Sequence, residues 1–189
     1  MIIFVEMFIF IFKCVIILVP VWFVNMLGGI VMANKYLGPI YKMLFDKDFK
    51  YNNFEQRLEM QKAIYLLQDM GVPVGNYGFR WYYYGPYSQA LQDDMYFESS
   101  RRSEEITLSK EYMEDVLKLK QVIESGHNGK YSVTKWIECI ASMHYLRENM
   151  MDFNTGEEDV VKELENRKDY LSDRDTNRTA YKLMESLFV

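Results

Sequence analysis

Between Arg57 and Ser88 the sequence changes character across one short gap, and that change constrains the fold more than any other stretch. The first half, RLEMQKAIYLLQDMG, has helical periodicity. Met60, Ala63, Ile64 and Leu67 recur on one face, and Leu66 and Met70 widen the stripe. Gly71 suits the position just past a helix C-terminus, and Pro73 prevents the helix from resuming at once. The second half, YGFRWYYYGPYS, predicts an aromatic strand over residues 77–84. Tyr77, Phe79, Trp81 and Tyr83 then share one side, and Gly78, Arg80, Tyr82 and Tyr84 the other. Arg80 is placed to stack on a ring of its own face. Gly85-Pro86 ends the strand, because proline has no N–H to give a ladder. Pro86 fits the first turn of a following helix, with Ser88 as an alternative N-cap and Ala90, Leu91, Asp94 and Met95 continuing it.

A second stripe on the first helix, Gln61, Tyr65 and Gln68, is polar but uncharged. A solvated face would normally carry Lys and Glu. Either this face is half-buried, with its amides bonded to main chain or tyrosine, or it is a recognition surface for a partner protein. Tyr82, Tyr84 and Tyr87 pose the same pair of readings, as core rings or as exposed anchors. The connection between the two halves is short, so the Gln61–Tyr65 face and the segment from Trp81 to Ser88 are expected to touch and make one site.

A QKAIYLLQ helix, a short gap and an RWYYYGPYS strand together resemble the bacterial YwgA-like proteins. More distantly they are similar to the Panacea antitoxin domain of SocA-like and phage-associated proteins. Gln61, Lys62, Tyr65, Trp81, Tyr84, Gly85, Pro86, Tyr87 and Ser88 occupy the shared pattern. The chain departs from it at Met60, where leucine is usual, and at Ala63, where a larger apolar residue is usual. The resemblance implies a small cytosolic protein without catalysis that binds a protein partner, such as a toxin or a client destined for proteolysis. Those nine residues are the partner-binding candidates.

Residues 1–31 do not match the rest. The run over residues 14–34 carries no charge and meets the roughly 20 residues that a membrane span needs. It lacks the basic start and small-residue cleavage site of a signal peptide. Lys35 and Lys42 would place the remainder on the cytoplasmic side. Met32, however, opens MANKYLGPIYKML, which reads as an ordinary bacterial start. The segment is therefore either a transmembrane helix or translated leader from a misplaced start, and a membrane partner follows only from the first. Residues 32–189 read as a single compact, mainly α domain with a small antiparallel β element (α+β).

Within that domain, helices are expected over residues 36–45, from Ser109 to Ser125, from Ser132 through Leu146, after a Thr155/Glu158 capping box, and from Arg174 to Phe188. Ile106, Thr107 and Leu108 are expected to pair with the aromatic strand. Asn128-Gly129 marks a turn.

Chemistry-bearing constellations are sparse. The two histidines, His127 and His144, and the two cysteines, Cys14 and Cys139, have no metal-ligand or nucleophile–base spacing. No glycine-rich phosphate loop occurs, and no cofactor or metal is expected. The net charge of −5 counts against nucleic acid. A winged-helix-like regulator would need Arg57, Lys62, Arg80, Arg101 and Arg102 to form one basic face. The preferred expectation is a cytoplasmic, non-catalytic interaction module. A nucleic-acid-binding regulator comes second and an enzyme third.

Overall fold

The computed structural model describes residues 36–98, 108–126, 129–152 and 154–189. The apolar segment 1–31, Arg101, Arg102, Ile106, Thr107, His127 and Asn128 lie outside them. The described residues form seven helices and one two-stranded antiparallel sheet, the mainly α arrangement expected. In chain order these are α1 (residues 36–45), α2 (Phe54–Asp69), β1 (Arg80–Tyr82), β2 (Gly85–Tyr87), α3 (Gln89–Glu98), α4 (Lys110–Ser125), α5 (Val133–Met150), α6 (Glu157–Arg167) and α7 (Arg174–Leu187). Among the described residues no helix is long and apolar enough to cross a membrane.

Helices α2 and α5 pack against each other at the centre. Eleven of the sixteen residues of α2 are buried, from Gln56 to Leu67 with Arg57 as the break, so α2 has almost no solvent face. This is why its second stripe lacks Lys–Glu pairs: a helix enclosed on most sides keeps only the polar groups that find partners. Around this pair, α4, α6 and α7 are amphipathic and bury one face each. Examples are Val116, Leu119, Val122 and Ile123 on α4, and Ala180, Tyr181, Met184 and Leu187 on α7. All contribute to one core that also includes Leu37, Ile40, Tyr41 and Leu44 of α1.

The helix ends follow local chemistry. Helix α2 starts at Phe54, three residues before Arg57, because the Asn53 side chain caps the Gln56 N–H. It ends in a Schellman motif, with Gly71 at φ 87°, Gly71 N bonded to Gln68 O and Val72 N to Leu67 O. Ser109 and Ser132 cap α4 and α5 as expected. The capping box before α6 does not form. Gly156 takes the cap position, and the Thr155 hydroxyl donates to Asp152 O at 2.7 Å.

The aromatic run does not make one strand over residues 77–84. It folds back on itself: Tyr83 and Tyr84 form a two-residue turn, and Gly85-Pro86-Tyr87 returns as β2. Gly85-Pro86 therefore does not end a strand or start a helix; it pairs with the strand before it. Ser88 takes the N-cap of α3, its hydroxyl 3.5 Å from Leu91 N. The partner of β1 is β2, and Leu108 lies in no strand. Arg80 stacks on no ring among the described residues; the cations over the Trp81 ring are Arg167 and Lys168.

Candidate functional site

The hairpin sits on α2 and α5, and β2 makes the contact. What fixes it is a set of side chains that bond main-chain groups of the hairpin from beneath. The Gln61 amide donates to Ser88 O and accepts from Ser88 N, both at 2.9 Å. Two helical turns further on, Gln68 treats Tyr77 the same way, at 3.1 and 2.7 Å. The Lys62 ammonium donates to Pro86 O at 2.5 Å. Lys168, just past α6, donates to Tyr83 O at 2.8 Å. The helix and the aromatic segment therefore make one joined structure, held by α2 from one side and by Lys168 from the other.

Beneath the turn lies a buried ionic cluster. Lys168 also bonds Glu138 Oε1 at 2.7 Å and the Tyr170 hydroxyl at 3.0 Å, and that hydroxyl donates to the same carboxylate oxygen at 2.5 Å. Lys62, Glu138 and Lys168 are each at most 2% exposed. Lys168 thus pairs with Glu138 away from water, and Lys62, bonded to Pro86 O, feels both charges without touching the carboxylate. Burial pulls the Lys62 pKa down to about 7; Glu138 opposes the shift and Lys168 adds to it. Lys168 is also lowered by burial, against the pull of Glu138. Burial and the bond to Glu138 raise the Tyr170 hydroxyl, so it stays a donor. None of Glu138, Lys168 and Tyr170 was singled out by sequence reasoning. The available signal was a carboxylate inside the apolar run WIECIASM, at a position where only a paired charge is stable.

Gly85 is fixed twice over. Its φ of 85° suits only glycine, and an added Cβ would collide with Ser142 Oγ on α5. That hydroxyl is buried and makes no hydrogen bond. Further along α5, His144 Nδ1 lies 2.8 Å from the Tyr65 hydroxyl, and its ring stacks on Phe188 at 4.0 Å. Burial lowers the His144 pKa to about 4, so the imidazole is neutral at pH 7. Cys139 is fully buried, and its thiol points to Asn177 Oδ1 at 3.3 Å. Among the described residues no cluster of metal-ligating side chains occurs.

The nine sequence-derived residues divide in two. Gln61, Lys62, Tyr65, Gly85, Pro86 and Ser88 are buried; Gln61 and Lys62 hold Ser88 and Pro86, while Tyr65 bonds His144 instead. Trp81 and Tyr87 are half-buried, and Tyr84 is exposed at the turn. The most exposed rings are two neighbours that the shared pattern does not weigh, Tyr82 at 66% and Tyr83 at 69%. Ring contacts extend this surface from Tyr83 to Tyr84 and on to Phe54 at 5.5 Å, and from Tyr83 to Tyr170 at 6.5 Å. Arg57 lies over the Phe54 and Tyr51 rings. Of the five cations that a nucleic-acid face would need, Lys62 is buried and Arg101 and Arg102 fall outside the described residues; Arg57 is half-buried and Arg80 exposed.

Comparison with protein-family models, curated proteins and solved structures finds no match to this chain.

Proposed function

We propose that this chain is a non-catalytic, cytoplasmic protein-interaction module, of the antitoxin-like or adaptor kind to which the YwgA-like and Panacea resemblance points. Its partner would be a protein, such as a toxin or a client handed to a protease. One observation carries this reading: Tyr82, Tyr83 and Tyr84 stand exposed on a turn whose base is held by Gln61, Lys62 and Lys168. Rigid tyrosines on a braced loop bring large contact area at low entropic cost, which is the profile of interface anchors. The buried polar groups are engaged in holding the hairpin, which leaves them a structural task in place of a chemical one.

The test is affinity capture from the native host with the full chain, identification of the bound protein, and a pairwise binding measurement. Tyr83→Ala and Tyr87→Ala should weaken binding by at least about tenfold, a loss of about 1.4 kcal/mol. Neither should move the melting temperature by more than about 2 °C, because these rings are not core. Unchanged affinity in both variants at matched folded concentration would remove the hairpin from the interface.

A further inference from the structure

The hairpin has one edge closed by α2 and one edge to which no described residue bonds. Arg80 faces Tyr87, Trp81 faces Pro86 and Tyr82 faces Gly85. Pro86 has no N–H, so the reciprocal ladder bonds fall on the Arg80/Tyr87 and Tyr82/Gly85 pairs. The Pro86 carbonyl then points away from β1, where Lys62 takes it, and the main-chain groups of Ser88 are taken by Gln61. The outer side of β2 is closed by α2. By the same alternation, the N–H and C=O of Trp81 point away from β2, to the other edge. Among the described residues no group bonds to them, and no third strand lies there. Edge strands are normally blunted by shortness, proline, a bulge or charges. Here the proline is on the inner strand, and the edge strand has only its three-residue length and Arg80.

The cations over the Trp81 ring, Arg167 and Lys168, are paired with Glu163 and Glu138, but three others near the hairpin are not. Arg57, Arg80 and Lys135 have no carboxylate within ion-pair distance among the described residues, although the chain carries a net charge of −5. Arg80 flanks Tyr82 on the outward face of β1, and Arg57 lies over Tyr51 and Phe54 beside the turn. Lys135 lies over Tyr170, against which Tyr83 stacks.

We infer that the outer edge of β1 receives an extended, acidic segment of a partner protein, which adds as a third strand and bonds the Trp81 main chain. This rests on the interaction-module reading and names the chemistry of the partner. The added residue opposite Arg80 carries a carboxylate. The residue opposite Trp81 is apolar and faces the Trp81 ring, so the segment alternates acidic and apolar side chains.

The probe is a blocked decapeptide of alternating glutamate and valine, titrated against the full chain while the Trp81 amide is followed by NMR. A lysine–valine counterpart and a glutamate–valine peptide N-methylated along one edge are the controls. The acidic peptide should bind at least about tenfold tighter than the lysine peptide, about 1.4 kcal/mol. It should slow exchange of the Trp81 amide, N-methylation should abolish binding, and Arg80→Glu should invert the charge preference. Equal binding of the two peptides, an indifferent N-methyl peptide, or a Trp81 amide already protected in the free chain overturns the inference. Protection that grows with chain concentration alone makes a second copy the occupant and overturns it as well. If Arg80→Glu leaves capture of the native partner intact while Tyr83→Ala abolishes it, the interaction module stands and the strand-addition edge falls.

Discussion

Gln61 and Ser88, 27 positions apart, hold each other in both directions, amide to main-chain carbonyl and main-chain N–H to amide, each at 2.9 Å. A primary amide carries the same donor and acceptor as a peptide group, so a glutamine on a buried helix can stand in for a neighbouring strand. Gln68 repeats the arrangement with Tyr77. The polar, uncharged stripe of α2 is thus a docking strip for the protein's own main chain.

Gln61→Ala should lower stability by about 1–3 kcal/mol, because Ser88 is left with a buried N–H and C=O and no partners. Gln61→Glu keeps the acceptor but loses the donor, and should cost more at pH 7 than below pH 4, where the carboxyl can regain a proton. Urea denaturation at both pH values measures this. An alanine variant as stable as the parent would show that the pair contributes nothing.

Gly85 and Ser142 should behave as a coupled pair. Gly85→Ala combines a left-handed backbone with a collision against Ser142 Oγ, and should cost about 2 kcal/mol or more. Ser142→Ala removes a buried hydroxyl that has no partner and should be neutral or stabilising by up to about 1 kcal/mol. In the double variant Gly85→Ala, Ser142→Ala, part of the Gly85→Ala cost should be recovered. Thermal unfolding of the full cycle gives the coupling energy; strict additivity would mean that the two residues do not touch.

Lys62 should make stability rise with pH in the mildly alkaline range. Its native pKa of about 7 lies below the usual 10.5. Below pH 7 both folded and unfolded chains hold the proton, and the native state bears the full cost of a buried charge. Between 7 and 10.5 the unfolded chain keeps a proton that the native chain has released, so stability increases by at most about 1.4 kcal/mol per pH unit. Lys168, lowered in the same direction, adds to the trend. Cys139 and the buried tyrosines, with raised pKa values, oppose it only from about pH 9 upward. Denaturation between pH 7 and 9 should show a positive slope that Lys62→Met reduces. A flat parent profile, or an unchanged slope in the variant, would assign the charge cost elsewhere.

Most of what was legible beforehand was local. The stripe of α2, the glycine that ends it and the serines that cap α4 and α5 depend on residues within one or two turns of one another, so spacing alone locates them. The touching of the helix with the Gly-Pro segment was legible too, because the short connection leaves few other places for the second element. Even at short range competition can mislead: Thr155 had an acceptor at Asp152, and the capping box lost.

The sequence by itself determined a mainly α chain with an aromatic segment lying against the helix that precedes it. Periodicity, caps and a short connection are local properties, and each restricts the main chain wherever the rest of the protein goes. Only the tertiary structure decided that this segment doubles back at Tyr83 and Tyr84, which rings stay in water, and which polar side chains disappear. An unbroken run of tyrosines contains no turn residue. The reversal rests on Gly85 fitting over Ser142, on Lys62 reaching Pro86 O and on Lys168 reaching Tyr83 O, and those partners lie 57, 24 and 85 positions away. A buried lysine is stable only where such partners converge, and convergence is a property of the packed chain.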